Sequence, residues 1–158
     1  MTPLHQLSEN SKVWIYTAER NFTDSELQFI EQKSNDFIAQ WESHGSAVKG
    51  HIETRYNRFI FIYADDQNDT LCGRATDSSV RFIKELESSL SISLMDRTLL
   101  AYKENDAVQT VSFLEFQSMI TGGKITEESV IFNNLITSKV DLINWETTPQ
   151  NSWHKQLF

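Results

Sequence analysis

The single cysteine of this chain, Cys72, opens CGRATDSSVRFIKEL, residues 72–86, just ahead of a run with helical periodicity. A thiol beside a helix N-terminus, with Arg74 close by, can ionise to a thiolate nucleophile, and His44 can supply its base. The competing reading is a structural thiol, because free cysteine is among the residues most often buried. Thr76 and Asp77 both suit the N-cap, where a side-chain oxygen accepts from an orphan N–H and a carboxylate complements the helix dipole. With the cap at Thr76 or Asp77, Cys72 stands upstream of the helix and gains little from it. Asp77 is then a cap first and a catalytic acid second.

A second set of residues has binding chemistry. Arg55 and Arg58 flank Tyr56-Asn57, and two guanidinium groups at one strand end can clamp a carboxylate or phosphate. Ion pairing with some of the 22 acidic residues is the alternative. Trp41, Asn133, Trp153 and His154 have the types that line a ligand pocket. The same amides and rings can equally satisfy buried backbone groups. Histidines 5, 44, 51 and 154 show no ligand spacing, and neither H-E-x-x-H nor CxxC occurs, so no metal site is expected. The acidic run Asp65, Asp66, Asn68, Asp69 lacks the central glycine and closing glutamate of a calcium loop. No cofactor is called for.

The elements that would hold these residues follow from pattern. KVWIY, 12–16, reads as a strand. Thr23 and Glu26 have capping-box spacing, and Leu27, Ile30, Phe37, Ile38 and Trp41 recur at helical intervals, with Gly45 placed to stop the helix. Residues 47–55 and 58–64 read as strands joined by a hairpin at Tyr56-Asn57. A helix is expected over 76–90, then strands at 98–103 and 107–111 about the turn residues 104–106. This β-α-β-β-α-β order is the ferredoxin-like, split βαβ arrangement, an α+β fold, expected over 1–111. Residues 112–158 read as a helix–strand extension packed on it: a capping box at Ser112 and Glu115, a stop at Gly122-Gly123, and a strand near 129–132. Trp145 and Trp153 read as anchors of a loop-like tail.

Bulk properties narrow the function. At 158 residues, 39% hydrophobic and with five glycines and two prolines, the chain can bury roughly 70% of its unfolded surface in one unit. A net charge of −8 argues against nucleic acid and against anionic membranes. No apolar run approaches the ~20 residues of a membrane span, and Met1–Asn10 has no apolar leader, so no membrane insertion is expected. One cysteine excludes an internal disulfide and fits a cytoplasmic setting.

KVWIYTAERNFTDSE, IETRYNRFIFI, TDSSVRFIKELE, DRTLLAYKE, VIFNNL and the closing SWH resemble a family of small uncharacterised bacterial proteins often labelled "ABC transporter ATPase". The label implies a nucleotide-binding engine. The residues do not carry one. A phosphate-cradling loop needs G-x-x-x-x-G-K-[ST], whereas Gly122-Gly123-Lys124 is followed by Ile125, and Ser118 stands five places before Gly123. Residues 111–132 are also similar, locally, to GYF-like modules, which bind proline-rich peptides. An ordinary capped helix, glycine stop and strand accounts for the same residues.

Two functions are consistent with these features. The first is a non-catalytic binding or protein-interaction domain without ATPase activity, taking a protein partner or small ligand; pairing of such sheets at edges or faces makes a homodimer one expectation. The second is a small enzyme with His44, Arg55 and Cys72 or Asp77 in one cleft.

Overall fold

The computed structural model describes residues 1–65 and 71–158. The fold is α+β, with antiparallel sheets and packed helices. Two compact units divide it: Met1–Met95 with Thr137–Val140, and Asp96–Ile136 with Asp141–Phe158. The boundary expected at 111/112 falls inside the second unit instead. There a strand ending at Ser112 runs straight into a helix that Ser112 caps.

In the first unit, β1 (Lys12–Thr17), β4 (Lys49–Arg55) and β5 (Phe59–Asp65) form a sheet of order β1-β5-β4. The order centres β5, and every residue of FIFIYAD is buried, as a continuous apolar run requires. Tyr56 and Asn57 take positive φ in the hairpin that the sequence predicts. Ile52, Ile60, Ile62 and Ala64 join a core with Ile30 and Ile38 of one helix and Phe82, Ile83 and Leu86 of another.

The first of these helices, α1 (Asp24–Gln40), starts at the expected capping box. Glu26 N–H donates to Thr23 Oγ1 at 3.2 Å, and Thr23 N–H to Glu26 Oε2 at 2.9 Å. Arg20 adds a two-pronged pair to the same carboxylate, both contacts 2.9 Å, and with the cap holds Glu26 down at about 2. The helix stops before Gly45. Trp41 is its C-cap, buried at 2% exposure, with its indole N–H on the Ala75 carbonyl at 2.9 Å. Glu42–Ser43 (β2) and Ser46–Ala47 (β3) then pair as a small hairpin. Its two-residue turn is His44 (φ 52°) and Gly45 (φ 78°), the left-handed pair such turns demand. Gly50 is fixed by packing: a Cβ there would lie 2.7 Å from Ile38 Cδ1 and 3.0 Å from the Trp41 ring. The second helix, α2 (Gly73–Leu90), begins three residues earlier than the pattern indicates.

The ferredoxin-like sheet order is not shown. The strand expected to complete the sheet, β6 (Leu99–Glu104), lies in the second unit. It pairs with β7 (Ala107–Ser112) through a turn with Asn105 and Asp106 at positive φ, and with β8 (Ile131–Phe132), which pairs in turn with β9 (Glu146–Thr147). The edge of β1 is met instead by 137–139: Val13 N–H donates to the Thr137 carbonyl at 2.9 Å, and Lys139 N–H to the Ser11 carbonyl at 2.9 Å. A tight two-residue turn makes β6–β7 pairing local, with little loop entropy to overcome.

In the second unit, α3 (Phe113–Thr121) carries the second predicted capping box and ends at Gly122-Gly123. Phe116 packs with Leu100, Tyr102, Ile125 and Ile131. The tail forms short 3-10 turns at Pro149–Asn151 and Trp153–Leu157. Trp145 is buried at 3% and its indole donates to Asn134 Oδ1 at 2.8 Å, as an anchor should. Among the described residues, no helix is long and apolar enough to cross a membrane.

Candidate functional site

The early start of α2 changes the reading of Cys72. With Gly73 as the first helical residue, Cys72 is itself the N-cap, in extended geometry (φ −69°, ψ 155°). Its carbonyl accepts from the N–H groups of Ala75 (3.1 Å) and Thr76 (3.2 Å). Thr76 and Asp77, expected as caps, therefore lie inside the helix. The Thr76 hydroxyl bonds back to the Cys72 carbonyl at 3.4 Å. The gap between thiol and helix foreseen from the sequence does not exist.

The β2–β3 hairpin completes the surroundings. Trp41 anchors its base to Ala75, which brings Ser43 and His44 to the first turn of α2. Cys72 N–H donates to Ser43 Oγ at 3.1 Å. The Ser43 hydroxyl is the largest influence on the half-buried thiol. Backbone N–H groups of His44 and Ala75 and the charge of His44 act in the same direction, holding it down at about 7. Each favours the anion, the helix start adds its dipole, and no capping side-chain bond is made that ionisation would break. The geometry can support nucleophilic or thiol-exchange chemistry. Ser43 was not singled out from the sequence. Its available signal was the Ser-His-Gly-Ser run, a two-residue turn with its glycine.

Arg55, Arg58, Trp41, Asn133 and His154 make contacts within the fold. Arg55 Nε donates to Glu53 Oε1 at 2.8 Å, Tyr63 donates to the same oxygen at 2.7 Å, and the guanidinium lies 4.7 Å from the Phe61 ring centre. Arg58, 8% exposed, reaches another loop: Nε and Nη2 donate to the Ala18 and Glu19 carbonyls, each at 2.9 Å, and Nη1 to Asn21 Oδ1 at 3.1 Å. Among the described residues, these bonds of the two arginines go to different groups. Trp41 is core. Asn133 Oδ1 accepts from Leu135 N–H at 3.3 Å, closing a turn after β8.

His154 is fully buried in the second unit. Its Nδ1 is 2.8 Å from Ser152 Oγ, its ring stacks on Trp153 at 4.0 Å, and Phe116 lies 5.8 Å away. Nε2 makes no hydrogen bond. Burial alone pushes the imidazole down to about 4, so it is neutral near pH 7. The acidic run is divided: Asp65 accepts from Ser8 N–H at 2.9 Å, while Asp66, Asn68 and Asp69 lie outside the described residues. Among the described residues, no group of three His, Cys, Asp or Glu side chains is placed to hold a metal ion.

Two clefts open on the first unit. One of about 610 Å³ lies between α1 and α2, with Phe29, Phe37, Lys33 and Arg81 on its walls. The other, about 520 Å³, lies between α1 and β4, with Leu27, Glu31, Ser34, Ile52 and Thr54. Compared with known proteins, the chain matches no family model, no curated protein and no solved structure.

Proposed function

We propose that this chain is a non-catalytic binding or protein-interaction protein without ATPase activity. One observation carries the reading: residues suited to catalysis or ligand capture bond to the fold itself, while a cleft beside the edge strand β4 stays open. Arg58 ties down Ala18 and Glu19, Trp41 ties α1 to α2, and His154 sits against Ser152. The absent P-loop supports the same reading of the bacterial family that the sequence resembles. The first unit reads as a ferredoxin-like sandwich whose fourth strand position is filled by 137–139, and its one thiol suits a cytoplasmic setting.

The test is a titration of the isotope-labelled chain with a panel of short extended, helical and proline-rich peptides, followed by amide shifts. Saturable shifts over one contiguous set of residues are the expected result. No saturable shift with any peptide overturns the proposal.

A second reading rests on Cys72, Ser43 and His44: a small enzyme or thiol-exchange protein with Cys72 as nucleophile and His44 as base. Arg55 and Asp77 drop out of it, because Arg55 is engaged by Glu53 and Asp77 lies inside α2.

A further inference from the structure

We infer that the outer edge of β4 is a strand-addition site for an extended peptide with basic flanks. This rests on the interaction reading above and names its partner class.

The edge shows its own chemistry. β4 lies at one margin of the sheet, so alternate backbone groups point away from β5. Two of them are met by the chain's first residues. Thr2 N–H donates to the Gly50 carbonyl at 3.1 Å, and Ile52 N–H donates to Met1 Sδ at 3.5 Å. Thr2 meets Gly50 through its backbone N–H, and Met1 meets Ile52 through its side-chain sulfur. The strand period of two puts the Ile52 carbonyl and both backbone groups of Thr54 next in that outward row. Such a row is the feature that β-augmentation uses: main-chain bonds give affinity, and flanking pockets select side chains.

The cleft between β4 and α1 supplies the flank. Ile52 and Leu27 give it apolar lining, and Ser34 stands on the helix wall. Ser34 is 2% exposed and its hydroxyl has no hydrogen-bond partner. A helical serine commonly bonds back to the carbonyl one turn earlier. Here the hydroxyl is left for an incoming polar group. Glu31 on the helix wall, in a chain of net charge −8, favours lysine or arginine beside the pairing residues. The row left beyond Met1 is short. It suits a few residues of extended peptide better than the seven-residue β4 of a second copy, which Met1 and Thr2 would obstruct.

The probe is the capped peptide Lys-Val-Thr-Val-Lys, titrated into the labelled full chain. A second peptide carries N-methyl groups on alternate amides and cannot complete the ladder. The expected result is saturable shifts confined to 27–35 and 50–55, amide exchange at Thr54 slowed at least tenfold, and binding by the methylated peptide at least tenfold weaker. Thr54→Pro removes an outward donor without touching the β5 ladder, so it should abolish binding while leaving the remaining amide spectrum folded. Saturable shifts elsewhere, for example between α1 and α2, overturn this site and leave the interaction reading standing. Equal binding by the two peptides overturns it as well. A doubled solution mass with Thr54 protected before any peptide is added gives the edge to a second copy and overturns it too. Absence of saturable shifts with this probe and with every peptide of the panel defeats both proposals.

Discussion

Cys72 in the first unit and His154 in the second are both pushed to lower pKa, and the physical causes are opposite. Around Cys72 the Ser43 hydroxyl, two backbone N–H groups and the His44 charge favour the ionised thiolate. Around His154 the Phe116 and Trp153 rings and full burial penalise the ionised imidazolium. One environment makes a charge easier to form at neutral pH, and the other forbids it. A downward shift therefore marks a reactive candidate in the first case and a packed core ring in the second. The sign of the shift has to be read with the charge type of the group and its burial.

The comparison can be broken most forcefully at Phe116, which is fully buried. Phe116→Ala should cost about 3–5 kcal/mol in denaturant unfolding. In whatever folded population survives, the His154 resonance should titrate above about 4. A His154 midpoint unmoved in folded Phe116→Ala would show that this ring is not what excludes the charge.

The next effect is the pH dependence of stability. The folded state holds His154 neutral down to about 4, whereas the unfolded chain takes up the proton near 6.5. The unfolded state thus binds more protons between those values, so stability is full above 6.5 and falls as pH drops toward 4. The loss across that window should be about 3 kcal/mol. His154→Gln should flatten it, as followed by thermal or urea unfolding at several pH values. A slope unchanged in His154→Gln would place its origin elsewhere.

Cys72 supplies the matching test in the first unit. Its reaction with a small disulfide should show a midpoint near pH 7 in the native chain and a higher one in denaturant. Ser43→Ala should raise the native midpoint, lowering the rate at pH 7 by up to about tenfold for each unit of rise. A native thiol slower than the denatured one, unaffected by Ser43→Ala, would remove the enzyme reading.

The smallest expected effects compare the two capping boxes. Thr23→Ala and Ser112→Ala should each destabilise by about 1 kcal/mol. Arg20→Ala should cost less than Thr23→Ala, because its guanidinium is half exposed beside Glu26. A Ser112→Ala loss far below that of Thr23→Ala would mean that α3 is held by packing rather than by its cap.

The two boxes also show what was legible. Thr-x-x-Glu and Ser-x-x-Glu act over three residues, so sequence alone located both helix starts, and the positive-φ hairpin at Tyr56-Asn57 was equally local. The start of α2 was misplaced because Cys72 is an unusual cap, held by a hairpin 29 residues earlier. Arg55 and Arg58 looked like a pair because they are close in sequence. Among the described residues, Arg55 bonds to Glu53 and Tyr63, and Arg58 bonds to Ala18, Glu19 and Asn21.

The sequence by itself determined the α+β class, the capped helices α1 and α3, the strands now numbered β1, β4, β5, β6 and β7, and the lack of a phosphate-binding loop. These depend on periodicity and turn chemistry within a few residues. The tertiary structure alone decided which sheet β6 joins, what covers the edge of β1, and that Cys72 meets Ser43 while His154 is enclosed by aromatic rings. Strand pairing and burial are settled between residues far apart in the chain, where many partners satisfy the same local pattern and only the packed whole selects one.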